Sequence, residues 1–202
     1  MEKGFLFLDE MLRGVRWDAK YATWDNFTGK PVAGYEVNRI VGTQCLAQAL
    51  GEAQGRAAAL GYGLLLWDGY RPKSAVDCFL RWAEQPEDNL TKEKYYPNIA
   101  RSEMIAKGYV AAQSGHSRGS TIDLTLYRLD TGALLSMGSG FDFMDVRSHH
   151  AAKGLSATEA RNRNCLRNIM ESSGFQAYGF EWWHYSLINE PYPNTYFNFS
   201  VS

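Results

Sequence analysis

The stretch Ser114-Gly115-His116-Ser117-Arg118-Gly119-Ser120-Thr121-Ile122-Asp123 puts a histidine and an aspartate at the two ends of a turn of small residues. From Thr121 to Leu126 the apolar Ile122, Leu124 and Leu126 alternate with Thr121, Asp123 and Thr125, the period of a half-buried strand with Asp123 on its polar face. Gly119 lets the backbone fold back, so imidazole and carboxylate can converge on a cation. A second histidine motif, Glu181-Trp182-Trp183-His184-Tyr185, comes late in the sequence. Two imidazoles and a carboxylate are a recurrent zinc set whose fourth position is left to water in catalytic sites. His116, Asp123 and His184 would be those ligands; the other reading of His116 and Asp123 is a hydrogen-bonded pair without metal.

Glu181, three residues before His184, is placed to take a proton from water beside such an ion and return it to a leaving amine. In Asp68-Gly69-Tyr70-Arg71-Pro72 the chain turns from strand to helix with Arg71 at the corner. A guanidinium there binds a carboxylate or a developing oxyanion, or is merely solvated or salt-bridged. Three ligands, one base and one guanidinium describe amide hydrolysis. Asp142, in a glycine-rich loop, is a candidate partner for a ligand ammonium, and Tyr21 and Tyr35 are candidate pocket walls. The chain has four histidines. His149 and His150 compete for the metal, but neighbouring side chains diverge in a strand or a helix, so the two cannot both serve one ion well.

Other segments must hold these groups in place. Between Thr43 and Leu60, Leu46, Ala47, Leu50, Ala53, Ala57 and Leu60 recur at helical spacing and stop at Gly61, which predicts an amphipathic helix. Tyr62 to Asp68 reads as a buried strand, and Pro72 opens a helix carrying Val76, Phe79, Leu80 and Ala83. Asp130-Thr131-Gly132 predicts a hairpin returning along Ala133 to Met137. A capping box from Ser156 to Glu159 opens a helix that ends at Gly174, and one β-like segment from Phe175 delivers Glu181 and His184. Residues 85–110 read as a long connection with a helical turn near 102–107, and the first fifty residues as a loop-rich cover around Tyr21, Trp24 and Phe27.

A length of 202 residues with 45% hydrophobic and 14% aromatic content fits one domain, residues 1–202. A net charge of -1 with intermixed signs argues against nucleic acid or an anionic membrane as partner. Three separated cysteines, Cys45, Cys78 and Cys165, read as small core residues in a reducing compartment. The apolar run Phe5 to Leu8 is too short for a signal-peptide core and acids follow it, so a cytoplasmic protein is expected.

Together, Ser114-x-His116-x-x-Gly119-x-x-x-Asp123, Glu181-x-x-His184 and Asp68-Gly69-Tyr70-Arg71-Pro72 resemble the VanX-type D-alanyl-D-alanine dipeptidases. These fall within the wider group of zinc D,D- and L,D-carboxypeptidases that act on peptidoglycan peptides. The likeness covers essentially the whole chain, including the region from Trp17 to Tyr35 and Pro191-Tyr192-Pro193. It implies an α+β fold like that of D,D-peptidases and Hedgehog domains, with helices flanking a central antiparallel sheet. One Zn2+ per chain would lie in a cleft, held by His116, Asp123 and His184, with Glu181 as general base and Arg71 stabilising the tetrahedral intermediate. It also implies a homodimer, and a cytoplasmic enzyme that destroys D-Ala-D-Ala, so that precursors ending in D-Ala-D-lactate prevail and vancomycin loses its target. A dipeptidase must hold a free ammonium and a free carboxylate, for which Asp142, Ser114 and Tyr21 are the candidates. The alternatives are a zinc D,D-carboxypeptidase acting on longer wall peptides and a non-enzymatic domain that keeps zinc structurally. Glu181 and Arg71 have no use in the second.

Overall fold

In the computed structural model, which describes residues 1–202, the alternating segment around Asp123 is the middle strand of a five-stranded sheet. The elements in chain order are β1 (Phe5–Phe7), α1 (Leu8–Met11), β2 (Arg16–Trp17), β3 (Val41–Thr43), α2 (Gln44–Ala59), β4 (Tyr62–Asp68) and α3 (Lys73–Ala83), followed by α4 (Lys92–Tyr95), β5 (Thr121–Arg128), α5 (Ala157–Glu171), β6 (Phe175–Ala177) and β7 (His184–Leu187). The large sheet has the order β2-β4-β5-β7-β6, and β1 pairs with β3 in a small antiparallel sheet. All neighbours in the large sheet are antiparallel except β2 and β4. The sheet is therefore mixed, which corrects the expectation of an antiparallel one. Between β2 and β4 lie β3 and α2, a crossover long enough to bring the chain back in its original direction.

Forty-five buried residues form one continuous apolar cluster. Ile122, Leu124 and Leu126 of β5 meet it on one face, together with Leu46 and Leu50 of α2 and Leu166 and Met170 of α5. Thr43 caps α2 by accepting the Leu46 amide, and the box formed by Ser156 and Glu159 closes the start of α5. The other face of β5 is covered as well: Thr121, Asp123 and Thr125 are buried, so the strand is enclosed rather than half-buried. Gly119 has φ 81°, and a Cβ there would lie 2.1 Å from Phe5 Cε1, so both conformation and space demand glycine at the fold-back before β5. No helix is long and apolar enough to cross a membrane.

Several expectations change in detail. After Gly132 the chain returns only as an isolated bridge between Tyr127 and Leu134, not as a strand; its two flanking amide bonds, from Arg128 to the Ala133 carbonyl and from Leu135 to the Leu126 carbonyl, extend no further. The single segment expected from Phe175 is two strands, β6 and β7, joined by a turn that holds Glu181. The first fifty residues contain paired strands β1 and β3, too short for a periodic signal. Cys45 is exposed on α2 while Cys78 and Cys165 are half-buried, so none is a core residue. Helix α3 starts at Lys73 with Pro72 as its cap. Finally, residues 190–201 run back over the molecule: Phe197 and Phe199 set their rings edge-on to Phe5, and Val201 bridges to Tyr35.

Candidate active site

The turn Gly115–Arg118 and the strands β5 and β7 bring His116, Asp123 and His184 to one point, where a ligand atom from each lies within 4.8 Å of the others. Asp123 and His184 are cross-strand partners on adjacent strands. His116 Nε2 is 3.2 Å from Asp123 Oδ2 and 3.3 Å from His184 Nδ1. His116 Nδ1 lies 2.7 Å from the Gly69 carbonyl, which can only accept, so Nδ1 carries the proton and the Nε2 lone pair of the neutral ring faces the cluster. Asp123 Oδ1 is buried and accepts no hydrogen bond, although His184 Nδ1 stands 3.1 Å away without bonding geometry. An imidazole lone pair, a second imidazole nitrogen and an orphaned carboxylate oxygen meeting at one point are what a bound cation would satisfy, and the residues fit a metal. Burial opposes the charge on Asp123, but the His116 and His184 side chains outweigh it and hold its pKa below the carboxylate range.

Arg71 reaches the same point from the corner between β4 and α3. Its Nε and Nη2 both lie 2.9 Å from Asp68 Oδ2, and Nη2 is 3.6 Å from Asp123 Oδ2. The guanidinium sits over the rings of Tyr21 and Phe79. Asp68 carries no local sequence signal beyond the turn it opens. A bulge at Trp67 shifts the register between Leu66 and Asp68, so Asp68 pairs opposite Asp123 and lies on its face of the sheet, beneath Arg71, instead of following Leu66 into the core. Tyr35 is not a cleft wall; its hydroxyl donates to Asp68 Oδ1 at 2.7 Å.

A cleft of about 270 Å3 opens above the cluster, lined by Tyr21, Ser114, Asp142, Tyr178, Glu181 and Trp183 among others. Glu181 Oε2 lies 3.4 Å from His184 Nδ1, and burial, then the Asp123 charge, raises the pKa of Glu181. Tyr21 donates to Asp142 Oδ2 at 2.7 Å, and Asp142 keeps a left-handed φ of 55° that aims its carboxyl into the cleft. Ser114 Oγ accepts the His116 amide at 3.3 Å while lining the cavity.

Neither His149 nor His150 joins the cluster. His149 packs edge-on against Phe180, and His150 against Tyr185, with its Nε2 buried and unbonded. Burial, followed by the charges of Arg167 and Arg163, pushes His150 down to about 4, with Glu171 acting in the opposite sense. The unfolded chain binds this proton from pH ~6.5 downward and the folded chain only near 4, so stability is unaffected above 6.5 and falls as pH drops through that window. The expected loss is about 1–2 kcal/mol after screening by water. His150→Phe should flatten the curve of Tm against pH between 6.5 and 4 relative to wild type; an equally steep curve would refute this.

A His-Asp-His cluster suited to a cation, beneath a small cleft that also presents a carboxylate and a guanidinium, is the architecture of a metal-dependent peptidase. The peptidase M15 family model, described as D-ala-D-ala dipeptidase, matches residues 1–202, and the chain belongs to that family. It is 82% identical over 202 residues to a D-alanyl-D-alanine dipeptidase of Enterococcus faecalis, covering all of both chains. It is 73% identical over 201 residues to one of Enterococcus faecium and 63% identical over 202 residues to one of Streptomyces coelicolor, again with 100% of both chains covered.

Proposed function

We propose that this protein hydrolyses the dipeptide D-alanyl-D-alanine to two molecules of D-alanine. The family and its full-length relatives support the substrate; the observation that carries the chemistry is the Asp123 carboxylate, its Oδ1 orphaned, between two imidazoles at the base of the cleft. His116, Asp123 and His184 would hold one metal ion, and their donor set suits zinc. When bound, the metal supplies Lewis acidity, which polarises a scissile carbonyl and makes water a stronger acid.

The chain's own residues do the rest. Glu181 takes the proton of the attacking water and returns it to the leaving amine. Arg71, anchored by Asp68, turns its charge toward the oxyanion of the tetrahedral intermediate. Asp142, held by Tyr21, receives the substrate ammonium, and Ser114 its carboxylate. A cleft of about 270 Å3 suits a molecule of dipeptide size. Such an enzyme, acting in the cytoplasm, would clear D-Ala-D-Ala ahead of wall synthesis and support vancomycin resistance.

The test is release of free D-alanine by zinc-loaded protein, from D-Ala-D-Ala and from a wall pentapeptide with the same C-terminus. Release from the dipeptide in clear preference supports the reading. A fully loaded protein that leaves the dipeptide intact, or prefers the pentapeptide, overturns it.

A further inference from the structure

The corner Gly69 to Arg71 carries two of the site's parts at once. Gly69 offers the carbonyl that bonds His116 Nδ1 at 2.7 Å, and the Arg71 amide donates to the His116 carbonyl at 3.2 Å. Between them Tyr70 points away from the cleft and is 1% exposed. Its amide donates to the Val41 carbonyl at 2.6 Å. Its hydroxyl donates to the Phe199 carbonyl at 3.0 Å and accepts from the Phe199 amide at 2.8 Å, while the two rings stack at 4.2 Å. The corner has no slack toward β3, since a Cβ on Gly69 would lie 2.4 Å from the Val41 carbonyl oxygen. The same terminal segment reaches the other parts of the site. The Phe197 amide donates to the Ser117 carbonyl at 2.8 Å, and the Lys73 amide donates to the Phe197 carbonyl at 3.2 Å, tying the His116 turn to the start of α3.

We propose that Tyr70 is a positioning residue for His116 and Arg71, acting through the two-way clasp of its hydroxyl on the backbone of Phe199. Burying an aromatic ring needs no hydroxyl. A buried hydroxyl satisfied as both donor and acceptor by one residue's backbone fixes a distance and a direction, and the residue that carries this one sits in the chain between Gly69, whose carbonyl bonds His116, and Arg71, two groups whose placement the chemistry needs to within a fraction of an ångström. The inference rests on the metal-dependent dipeptidase reading of the site.

Tyr70→Phe keeps the ring and its stack and removes both hydroxyl bonds. The expected result is a fall in kcat on D-Ala-D-Ala of roughly 10-fold, the low end of the cost of losing an outer partner of a metal ligand because the Gly69 carbonyl that bonds His116 is kept, with KM nearly unchanged. Zinc affinity, read without substrate by competition with a chromogenic chelator, should fall together with kcat. Tyr192→Phe, which loses a hydroxyl bond to the Lys3 carbonyl in the same terminal segment, should match wild type in both readouts. Phe199→Leu keeps the backbone groups, so it should lower Tm and spare kcat. The proposal is overturned if Tyr70→Phe retains wild-type kcat and zinc affinity, if its kcat falls only in proportion to its folded fraction by circular dichroism, or if Phe199→Leu loses as much kcat as Tyr70→Phe. A wild type that releases no D-alanine would sink the dipeptidase reading instead, and zinc competition would still decide the role of Tyr70.

Discussion

Glu181→Gln is expected to lower turnover of D-Ala-D-Ala by about 10²–10⁴-fold while leaving zinc content unchanged. Glutamine has nearly the size and shape of glutamate, so the turn between β6 and β7 should survive, and Glu181 is not one of the three clustered ligand residues. What glutamine cannot do is take a proton from water and return it to an amine. The side chain remains 28% exposed beside His184, open to the cleft where substrate would arrive. A pKa raised by burial brings the carboxylate nearer to the working range of a base at neutral pH than an exposed glutamate would be. Metal analysis and steady-state kinetics on the same preparation decide it. A zinc-replete variant within tenfold of wild type would remove Glu181 from the reaction.

Asp123→Asn should have the larger effect, because it strikes the metal itself. The substitution replaces a carboxylate that is 2% exposed with an amide of the same shape but no charge. It also sets an NH2 group beside His116 Nε2 or His184 Nδ1, which lie 3.2 Å and 3.1 Å from the present carboxylate oxygens. Zinc affinity should fall by more than the roughly 10–100-fold typical for losing an outer partner, and D-alanine release should drop below detection. Excess zinc should then raise the Tm of wild type and not that of the variant, since only a form that binds the ion is stabilised by it. Equal zinc titration curves for the two proteins would show that Asp123 is not a ligand.

The parts of this site that could be read from the sequence are those whose signal is local. Alternation from Thr121 to Leu126 located β5, and the glycine between His116 and Asp123 correctly implied a fold-back, now seen as the left-handed Gly119. Spacing of Leu46, Leu50, Ala53 and Ala57 located α2, and the box at Ser156 located the start of α5. What escaped depends on pairing across the chain. A two-residue strand such as β2 has no period, and its parallel partnership with β4 is set by the crossover rather than by its own residues. Asp68 was hidden by the bulge at Trp67: strict alternation assigns it to the face of Leu64 and Leu66, and one extra residue moves it opposite Asp123. Tyr35 has the composition of a pocket wall and instead anchors Asp68, a bond across 33 positions that no local pattern encodes.

The clasp between Tyr70 and Phe199 joins positions 129 residues apart, so it bears on the order in which the protein is made. On the ribosome every side chain of the site, from Tyr21 to His184, is synthesised before residues 190–201. Until those residues emerge, the Tyr70 hydroxyl lacks both its partners and the His116 turn lacks its tie to α3. A nascent chain thus carries the chemical groups of the site without their final spacing, because so distant a closure comes late in folding. Capture of the metal ion at full strength therefore waits until residues 190–201 have folded back onto the corner at Tyr70.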